Sequence, residues 1–274
     1  MEGSQIHCQS RTRLHLADIK RFVGLSIFSV KIVIYHEITY LRIQKSTMQD
    51  NVFQQKEIEM TADGSATIYL PLLDEHYHSV KGAYTESVHI FLNCGLLHCQ
   101  KPSIRVLEVG FGTGLNSVVT ACGCGDKHVD YFTLERYPLS PETIEQTGYY
   151  RTLPENESSV LRKIHHCPWE QLTPVTDHFS IAKLECDLTS PLIRLPDDID
   201  VVYFDAFAPE KQPEMWSDDV FRRIFDTMIP GGILTTYCAK GEIRRRLQAT
   251  GFTVERLAGP PNGKREILRA TKPL

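Results

Sequence analysis

The chain has 274 residues, of which 42% are hydrophobic and 23% are charged, a composition typical of a globular protein with one large α/β domain. Its longest apolar stretch, residues 22–34, is interrupted by Ser26, Ser29 and Lys31, which makes both a membrane span and a secretory signal poor interpretations. The net charge of −4 disfavours a broadly basic, nucleic-acid-coating surface, although it allows a local basic patch.

Eight cysteines raise the question of disulfides or zinc, and their spacing decides it. They lie at Cys8, Cys94, Cys99, Cys122, Cys124, Cys167, Cys186 and Cys238. No CxxC pair is present, and the Cys122-Gly123-Cys124 stretch has no second pair at the spacing of a zinc finger. We therefore expect no metal, and reduced thiols in a cytoplasmic protein.

The N-terminal part differs from the rest in charge. Residues 1–47 carry a net charge of +4, because they hold seven Lys and Arg against three Asp and Glu, which leaves −8 for residues 48–274. Met48 begins a polar run that leads into an ordered-looking segment. Residues 1–47 are thus either an upstream extension, with Met48 the natural start, or a genuine N-terminal arm. We expect a lid or substrate segment at 48–102 and the main domain at 103–274.

From Ser103 onward, β-rich runs alternate with helical stretches, which predicts a mainly parallel sheet covered by helices on both faces. The predicted strands are residues 104–110, 129–134, 181–185, 201–204 and 233–238. The predicted helices are residues 115–122, a helix that begins at Ser140-Pro141-Glu142 and runs toward Arg151, residues 218–228 closed by Pro230-Gly231-Gly232, and residues 242–249. Residues 253–257 and 266–270 flank a Gly-Pro-Pro-Asn-Gly turn and predict a terminal β-hairpin.

Three glycines, Gly110, Gly112 and Gly114, lie between the first predicted strand and its helix. Glycine there lets the backbone turn sharply and approach a ligand without a Cβ in the way. A dinucleotide fingerprint would need glycine at 115, where this chain has Leu115, so NAD is disfavoured. The E-x-G-x-G-x-G pattern that begins at Glu108 instead resembles the first motif of class I S-adenosylmethionine methyltransferases.

Acidic residues end the next two strands of the predicted sheet. Glu135 follows the second strand at the position where a carboxylate can bind ribose hydroxyls. Asp187 follows the third strand, where similar methyltransferases hold the adenine amino group. Because open α/β sheets bind ligands at the carboxyl ends of their strands, these positions favour a nucleoside-containing cofactor over an ordinary tight turn.

Further segments are specific to one family. They are Asp74-Glu-His-Tyr-His-Ser79, Thr85-Glu-Ser87, Glu108-Val-Gly-Phe-Gly-Thr-Gly-Leu-Asn116, Phe204-Asp-Ala-Phe-Ala-Pro209, Lys211-Gln-Pro-Glu-Met-Trp216, Pro230-Gly-Gly232 and Lys264-Arg-Glu266. From about residue 60 onward, the chain resembles the methyltransferase part of the MnmC family, the bacterial bifunctional enzymes that make 5-methylaminomethyl-2-thiouridine at the tRNA wobble position. It departs from the family at Ala206, at Cys186 and in the turn before Lys264, none of which removes a chemical group.

The resemblance implies a Rossmann-like class I fold with a mainly parallel seven-stranded sheet and a C-terminal β-hairpin. It also implies methyl transfer from S-adenosylmethionine to the primary amine of 5-aminomethyl-(2-thio)uridine in tRNA, with the amine supplied by a separate upstream enzyme. Asp205 is the expected catalytic residue, because a carboxylate can deprotonate or orient an amine. The expected donor contacts are Tyr77, Glu108, Gly110, Gly112, Gly114, Asn116, Glu135 and Asp187. The expected substrate contacts are Phe207, Lys211, Trp216, Lys264 and Arg265.

Several alternatives stay open at this point. Tyr77, Phe207 and Trp216 are equally consistent with core packing. The run Arg244 to Arg246 is consistent with a solvated helix face as well as with RNA binding. The chain as a whole is also consistent with an N-methyltransferase for a small amine or a protein, or with a non-catalytic nucleotide-sensing protein, because fold alone does not determine function.

Overall fold

The computed structural model describes Phe53 and residues 55–274, which belong to one compact unit, Val52–Leu274. The predictions made for residues 1–47 and for Met48 lie outside the described residues. Within the described part, no helix combines the length and apolar character that crossing a bilayer requires. Each cysteine of this part carries a free thiol.

The centre of the fold is a mixed β-sheet. Its strands are β4 (Ser103–Val109), β5 (His128–Glu135), β6 (Thr173–Thr176), β7 (Phe179–Glu185), β8 (Ile199–Phe204), β9 (Met228–Thr236), β10 (Thr253–Ala258) and β11 (Glu266–Thr271). They lie in the order β10-β11-β9-β8-β4-β5-β7-β6. The four central pairings, from β9 to β7, are parallel, and the pairings that involve β6, β10 and β11 are antiparallel. The mainly parallel class I fold and the terminal hairpin are confirmed.

The expected count of seven strands is wrong, because β6 adds an eighth at the edge of the described sheet. This strand has four residues, includes Pro174 and has an irregular register against β7. Proline cannot donate a ladder hydrogen bond and is tolerated at sheet edges, so such a strand carries little sequence signal.

The helices that cover this sheet differ from the predicted ones at three places. The main-domain helices are α2 (Leu115–Gly123), α3 (Pro141–Thr147), α4 (Tyr149–Thr152), α5 (Glu155–His166), α6 (Asp218–Thr227) and α7 (Gly241–Thr250). The single helix predicted toward Arg151 is two helices, because Gly148 adopts φ 72° and breaks it. Helix α5 was not predicted. The stretch Pro230-Gly231-Gly232 lies inside β9 and does not close α6, which ends at Thr227.

The sheet is buried on both faces, as expected of parallel strands with helices on either side. All six residues of β8 are buried. Alternate residues of the central strands enter two apolar clusters: Val106 and Tyr203 belong to one, and Leu107 and Phe204 belong to the other. This packing fixes the carboxyl ends of β4, β5, β7 and β8 relative to one another.

The segment before the sheet forms a small layer of its own. It contains the antiparallel strands β1 (Glu57–Met60), β2 (Ala66–Leu70) and β3 (Glu75–His76), then α1 (Ala83–Glu86), which continues as a π-helix over Ser87–Asn93 and a 3-10 turn over Leu96–His98. β2 is joined to the main domain by a hydrogen bond from the Tyr149 hydroxyl to the Ala66 carbonyl. This layer therefore belongs to the same packed unit as the sheet.

Candidate active site

The turn after β4 needs glycine for two separate reasons. Gly110, Gly112 and Gly114 all have positive φ, at 92°, 52° and 78°, a region that disfavours other residues. A Cβ at position 110 would also lie 2.7 Å from the Asp205 carbonyl oxygen. The turn thus packs directly against the end of β8, and α2 begins at once after Gly114.

The carboxylate of Glu135 holds this turn from the neighbouring strand. Its Oε2 accepts a hydrogen bond of 3.0 Å from the Gly112 N–H, and its Oε1 accepts one of 2.8 Å from the Tyr137 N–H. Burial raises the pKa of Glu135, and the backbone donors oppose that rise. The structure therefore places Glu135 beside the glycine turn, as the sequence predicted.

Asp187 follows β7, one strand further along the sheet edge. Its Oδ2 accepts a hydrogen bond of 2.6 Å from Arg136 Nη1. Its Oδ1 accepts from both the N–H and the hydroxyl of Thr189, at 2.9 and 2.6 Å. The carboxylate is thereby fixed at the edge that Glu135 shares.

Asp205 lies directly after β8 and is oriented by α2. Its Oδ2 accepts a hydrogen bond of 2.8 Å from Asn116 Nδ2. Burial, reinforced by the negative charge of Glu86, raises the pKa of Asp205 to about 7, against the opposing effects of the Asn116 hydrogen bond and the Lys264 charge. A carboxyl group with such a pKa can exchange a proton near neutral pH.

Glu108 was expected to contact the donor, but the structure places it inside the sheet–helix interface. Its side chain is 0% exposed, and Oε2 accepts a hydrogen bond of 2.6 Å from the Thr133 hydroxyl. Burial raises its pKa to about 8. Because no face of this carboxyl group is open, its position supports the turn from within and differs from the expected ligand contact.

The N-terminal layer covers the glycine turn. The Tyr77 ring lies 3.1 Å from where a Cβ of Gly112 would be, and it meets Phe207 edge-on with centroids 5.1 Å apart. His78 Nε2 lies 2.9 Å from the Thr113 hydroxyl oxygen, and burial lowers the pKa of His78 to about 4. A neutral imidazole thus joins this layer to the turn. Sequence reasoning missed His78, although it lies within the quoted Asp74–Ser79 segment.

These features fit a nucleoside-type methyl donor. The turn has no Cβ at three of its positions, Gly110, Gly112 and Gly114, so a ligand can approach its backbone there. Carboxylates lie at the ends of two adjacent strands, where ribose and adenine groups would find hydrogen-bond acceptors. Within residues 55–274 and at Phe53, no three His, Cys, Asp or Glu side chains come together as ligands for a metal ion.

Comparison with known proteins identifies the family. Residues 159–273 match the family model described as S-adenosyl-L-methionine-dependent methyltransferase. Residues 159–273 therefore carry the sequence pattern of the S-adenosyl-L-methionine-dependent methyltransferases. The methyl donor of this methyltransferase is therefore S-adenosylmethionine, as predicted.

The curated relatives are longer proteins. The chain is 29% identical over 219 residues to the "tRNA 5-methylaminomethyl-2-thiouridine biosynthesis bifunctional protein MnmC" of Magnetococcus marinus, a match that covers 74% of this chain and 32% of the relative. It is 30% identical over 210 residues to the protein of the same name from Cupriavidus necator, covering 70% and 31%. The methyltransferase thus spans about a third of the length of the relatives that it matches, and the resemblance to their methyltransferase part is confirmed.

Solved structures show the same fold. MNMC2 from Aquifex aeolicus matches with a TM-score of 0.64 at 23% identity, over 89% of this chain and 86% of that one. Spermidine synthase from Thermotoga maritima matches with a TM-score of 0.50 at 14% identity, over 79% and 69%.

Two expected substrate contacts of the methyltransferase are occupied within the protein. Trp216 is 2% exposed and packs in the core against Phe204, while its indole N–H donates a hydrogen bond of 2.8 Å to the Phe207 carbonyl. Trp216 was consistent with either substrate contact or core packing, and the structure shows core packing. Lys211 forms an ion pair of 3.3 Å with Asp74 on the N-terminal layer.

The basic residues of the second half of the chain have different surroundings. Arg223 donates to the carbonyls of residues 188, 190 and 193, and Arg246 pairs with Glu242 and Asp218. Arg245 and Arg265 are exposed. The structure thus separates arginines that hold loops and helices from arginines that face solvent.

Lys264 reaches back from the terminal hairpin to the N-terminal layer. Its Nζ lies 3.4 Å from Glu86 Oε2 and 3.7 Å from the centroid of the Tyr237 ring, over its face. The Tyr237 hydroxyl donates a hydrogen bond of 2.8 Å to the carbonyl of Ala206, the residue after Asp205. Sequence reasoning missed Tyr237, because no motif marks the residue that follows β9.

Proposed function

We propose that this methyltransferase transfers a methyl group from S-adenosylmethionine to the primary amine of 5-aminomethyl-(2-thio)uridine at the tRNA wobble position. The single observation that carries the proposal is Asp205, a half-buried carboxyl group that α2 orients through Asn116 and whose pKa is raised to about 7. Similarity to the curated MnmC proteins, over about 70% of this chain, supports the choice of substrate.

The chemistry requires a neutral amine. A primary alkylamine resembles lysine, whose pKa is near 10.4, so at neutral pH it is mostly protonated and has no lone pair to donate. The donor supplies a methyl group on a positively charged sulfur. As the nitrogen bonds to that carbon, the carbon–sulfur bond breaks and its electron pair stays on sulfur.

We assign to Asp205 the removal of a proton from the substrate's ammonium group. In its charged form it accepts a proton or a hydrogen bond from the amine, and the amide of Asn116 keeps its second oxygen in place. The proton that leaves nitrogen passes to Asp205 or to water. The uracil ring would lie beside Phe207 and Tyr77, since flipped bases stack on aromatic rings.

Binding of tRNA is assigned to the solvent-facing basic residues, among them Arg245 and Arg265. Phosphate contacts need only a local cluster of positive charge, so the net charge of −4 is compatible with this assignment. The proposal takes the aminomethyl group as already made by a separate upstream enzyme.

The proposal is tested by transfer of labelled methyl from S-adenosylmethionine to bulk tRNA from cells that lack the modification, followed by nucleoside analysis. The expected label is in 5-methylaminomethyl-(2-thio)uridine. Label in a small amine or a protein of the same extract, with none in tRNA, would instead assign the enzyme to one of the alternative substrate classes. S-adenosylhomocysteine binding without transfer to any of these would favour a non-catalytic sensor.

A further inference from the structure

Resting on the proposed function, we propose that Glu86 and the face of Tyr237 form the binding site for the substrate's alkylammonium group, and that Lys264 occupies this site in the free enzyme. Lys264 carries the same head group as the substrate, a primary ammonium on a methylene. The lysine thus acts as an internal placeholder that the incoming amine displaces.

The first argument is geometric. A cation above an aromatic face and beside a carboxylate is stabilised by both, and the two groups here face a single ammonium, at 3.7 Å from the ring centroid of Tyr237 and 3.4 Å from Glu86 Oε2. The site lies near Asp205, because the Tyr237 hydroxyl donates to the carbonyl of Ala206, which follows Asp205, and because the charges of Glu86 and Lys264 both act on the Asp205 carboxyl group. An ammonium held in this site is therefore within electrostatic reach of the residue assigned to remove its proton.

The second argument concerns charge. The Glu86 side chain is only 7% exposed, whereas that of Lys264 is 40% exposed. Leaving a buried carboxylate without a cation destabilises the protein. Glu86 therefore needs a positively charged partner both in the free enzyme and in the substrate-bound enzyme. If Lys264 leaves, the substrate ammonium is the cation that can replace it. Asp205 is influenced by both members of the pair, since Glu86 raises its pKa and Lys264 lowers it.

The third argument concerns how Lys264 could leave. It follows the exposed turn Pro261-Asn262, between strands β10 and β11 of the terminal hairpin. The hairpin is closed before it by the hydrogen bond from Gly259 N–H to the Arg265 carbonyl. The lysine side chain can therefore change rotamer without breaking a strand pairing. Its replacement by a second ammonium thus costs little conformational free energy.

The test uses n-butylammonium, a probe that has the alkyl chain and head group of lysine, on the full chain without tRNA or donor. Binding is followed by saturation-transfer NMR and by calorimetry. Lys264→Ala, which empties the site, is expected to bind the probe at least about tenfold more tightly than the wild type does. Lys81→Ala, which removes an exposed lysine of the N-terminal layer, is the matched control and is expected to behave like the wild type.

Second substitutions in the Lys264→Ala background identify the site. Glu86→Gln and Tyr237→Leu should each abolish the gained binding, while Tyr237→Phe should keep it, because it retains the ring and loses only the hydroxyl. Thermal unfolding checks that each variant is folded, and Lys264→Met provides a second variant in which the ammonium alone is lost. Equal probe binding by the wild type, Lys264→Ala and Lys264→Met would overturn the proposal.

The result of this experiment does not depend on whether the proposed function is correct. Probe binding needs neither methyl transfer nor tRNA, so an ammonium site that depends on Glu86 would stand even if tRNA proved not to be the substrate. Conversely, methylation of tRNA with no gain of probe binding in Lys264→Ala would support the proposed function and would refute the proposal that Lys264 occupies the ammonium site.

Discussion

Asn116 and Asp205 come from opposite sides of the glycine turn, and the Asn116 amide donates a hydrogen bond of 2.8 Å to Oδ2 of the aspartate. The asparagine lies on α2 directly after the turn, and the aspartate lies at the end of β8. One short contact therefore links the segment expected to bind the donor to the residue assigned to the amine. The orientation of Asp205 depends on the helix that begins directly after the glycine turn.

Asn116→Ala should slow the reaction and shift its pH dependence. The amide stabilises the charged form of Asp205, so its loss should raise the pKa of Asp205 above about 7 and move the acidic limb of the rate profile to higher pH. We expect kcat near pH 7 to fall about tenfold and to recover in part at alkaline pH. The measurement is the pH–rate profile, with the exposed Asn156→Ala as control. An unmoved acidic limb would contradict the assigned contact.

Glu108→Gln should stabilise the protein at alkaline pH. The folded-state pKa of Glu108 is raised to about 8 from an ordinary value of 4.5, so the folded protein holds a proton that the unfolded chain releases, and stability falls as pH rises between these values. We expect the variant to gain about 2 to 4 kcal/mol over the wild type at pH 8 and much less at pH 5.

Denaturant unfolding at both pH values measures this difference, with the exposed Glu155→Gln as a matched control. Asn116 and Tyr131 lie beside the buried Glu108 carboxyl group, so the amide of a glutamine at this position also has an acceptor to reach. A stability difference between Glu108→Gln and the wild type that is the same at both pH values would mean that Glu108 is not held protonated.

The sequence was sufficient for those parts of the fold that have a local signal. The strand at 199–204 is apolar enough to be recognised, and the helix beginning after Ser140 has its N-cap, with Ser140 Oγ accepting from the Thr143 N–H. β6 and α5 were missed, because a four-residue edge strand and a helix of mostly polar residues depend on tertiary packing. Gly148 ends a helix because it adopts a left-handed conformation, and the neighbouring sequence does not predict that helix end.

The site was predictable where chemistry is tied to strand ends. Glu135 and Asp205 lie where the motif order places them, since parallel strands bring their carboxyl ends to one edge. The burial of Glu108 and Trp216 could not be predicted from the sequence, because glutamate and tryptophan occur both in ligand-binding sites and in protein interiors. The Lys264–Glu86 contact joins residues 178 positions apart, which no local pattern encodes.

Glu135→Ala should weaken donor binding with little effect on the chemical step. It removes the expected ribose partner and the acceptor for the Gly112 N–H, so a loss of about 2 to 4 kcal/mol, or roughly 30-fold to 1,000-fold in affinity, is expected. Calorimetry with S-adenosylhomocysteine measures it. At saturating donor, kcat should stay near the wild-type value. Unchanged affinity would remove Glu135 from the donor site.

Arg265→Ala and Arg245→Ala should each raise KM for tRNA and flatten its salt dependence by about one unit of slope, as loss of one phosphate contact does. Arg246→Ala is the control, because that arginine is already paired with Glu242 and Asp218. Donor binding should be unchanged in all three variants. Equal effects of the three substitutions would show that exposure does not identify the RNA-binding residues.

The most direct test of the central claim compares the wild type with Asp205→Ala on one purified tRNA that carries 5-aminomethyluridine, with mass spectrometry of the released nucleoside. The wild type should convert it to the product heavier by one CH2 unit. Asp205→Ala should bind S-adenosylhomocysteine as the wild type does, turn over about 100-fold more slowly at pH 7, and recover in part at higher pH, where more amine is free. A wild-type nucleoside of unchanged mass, or an Asp205→Ala variant that loses donor binding as Glu135→Ala does, would contradict the account.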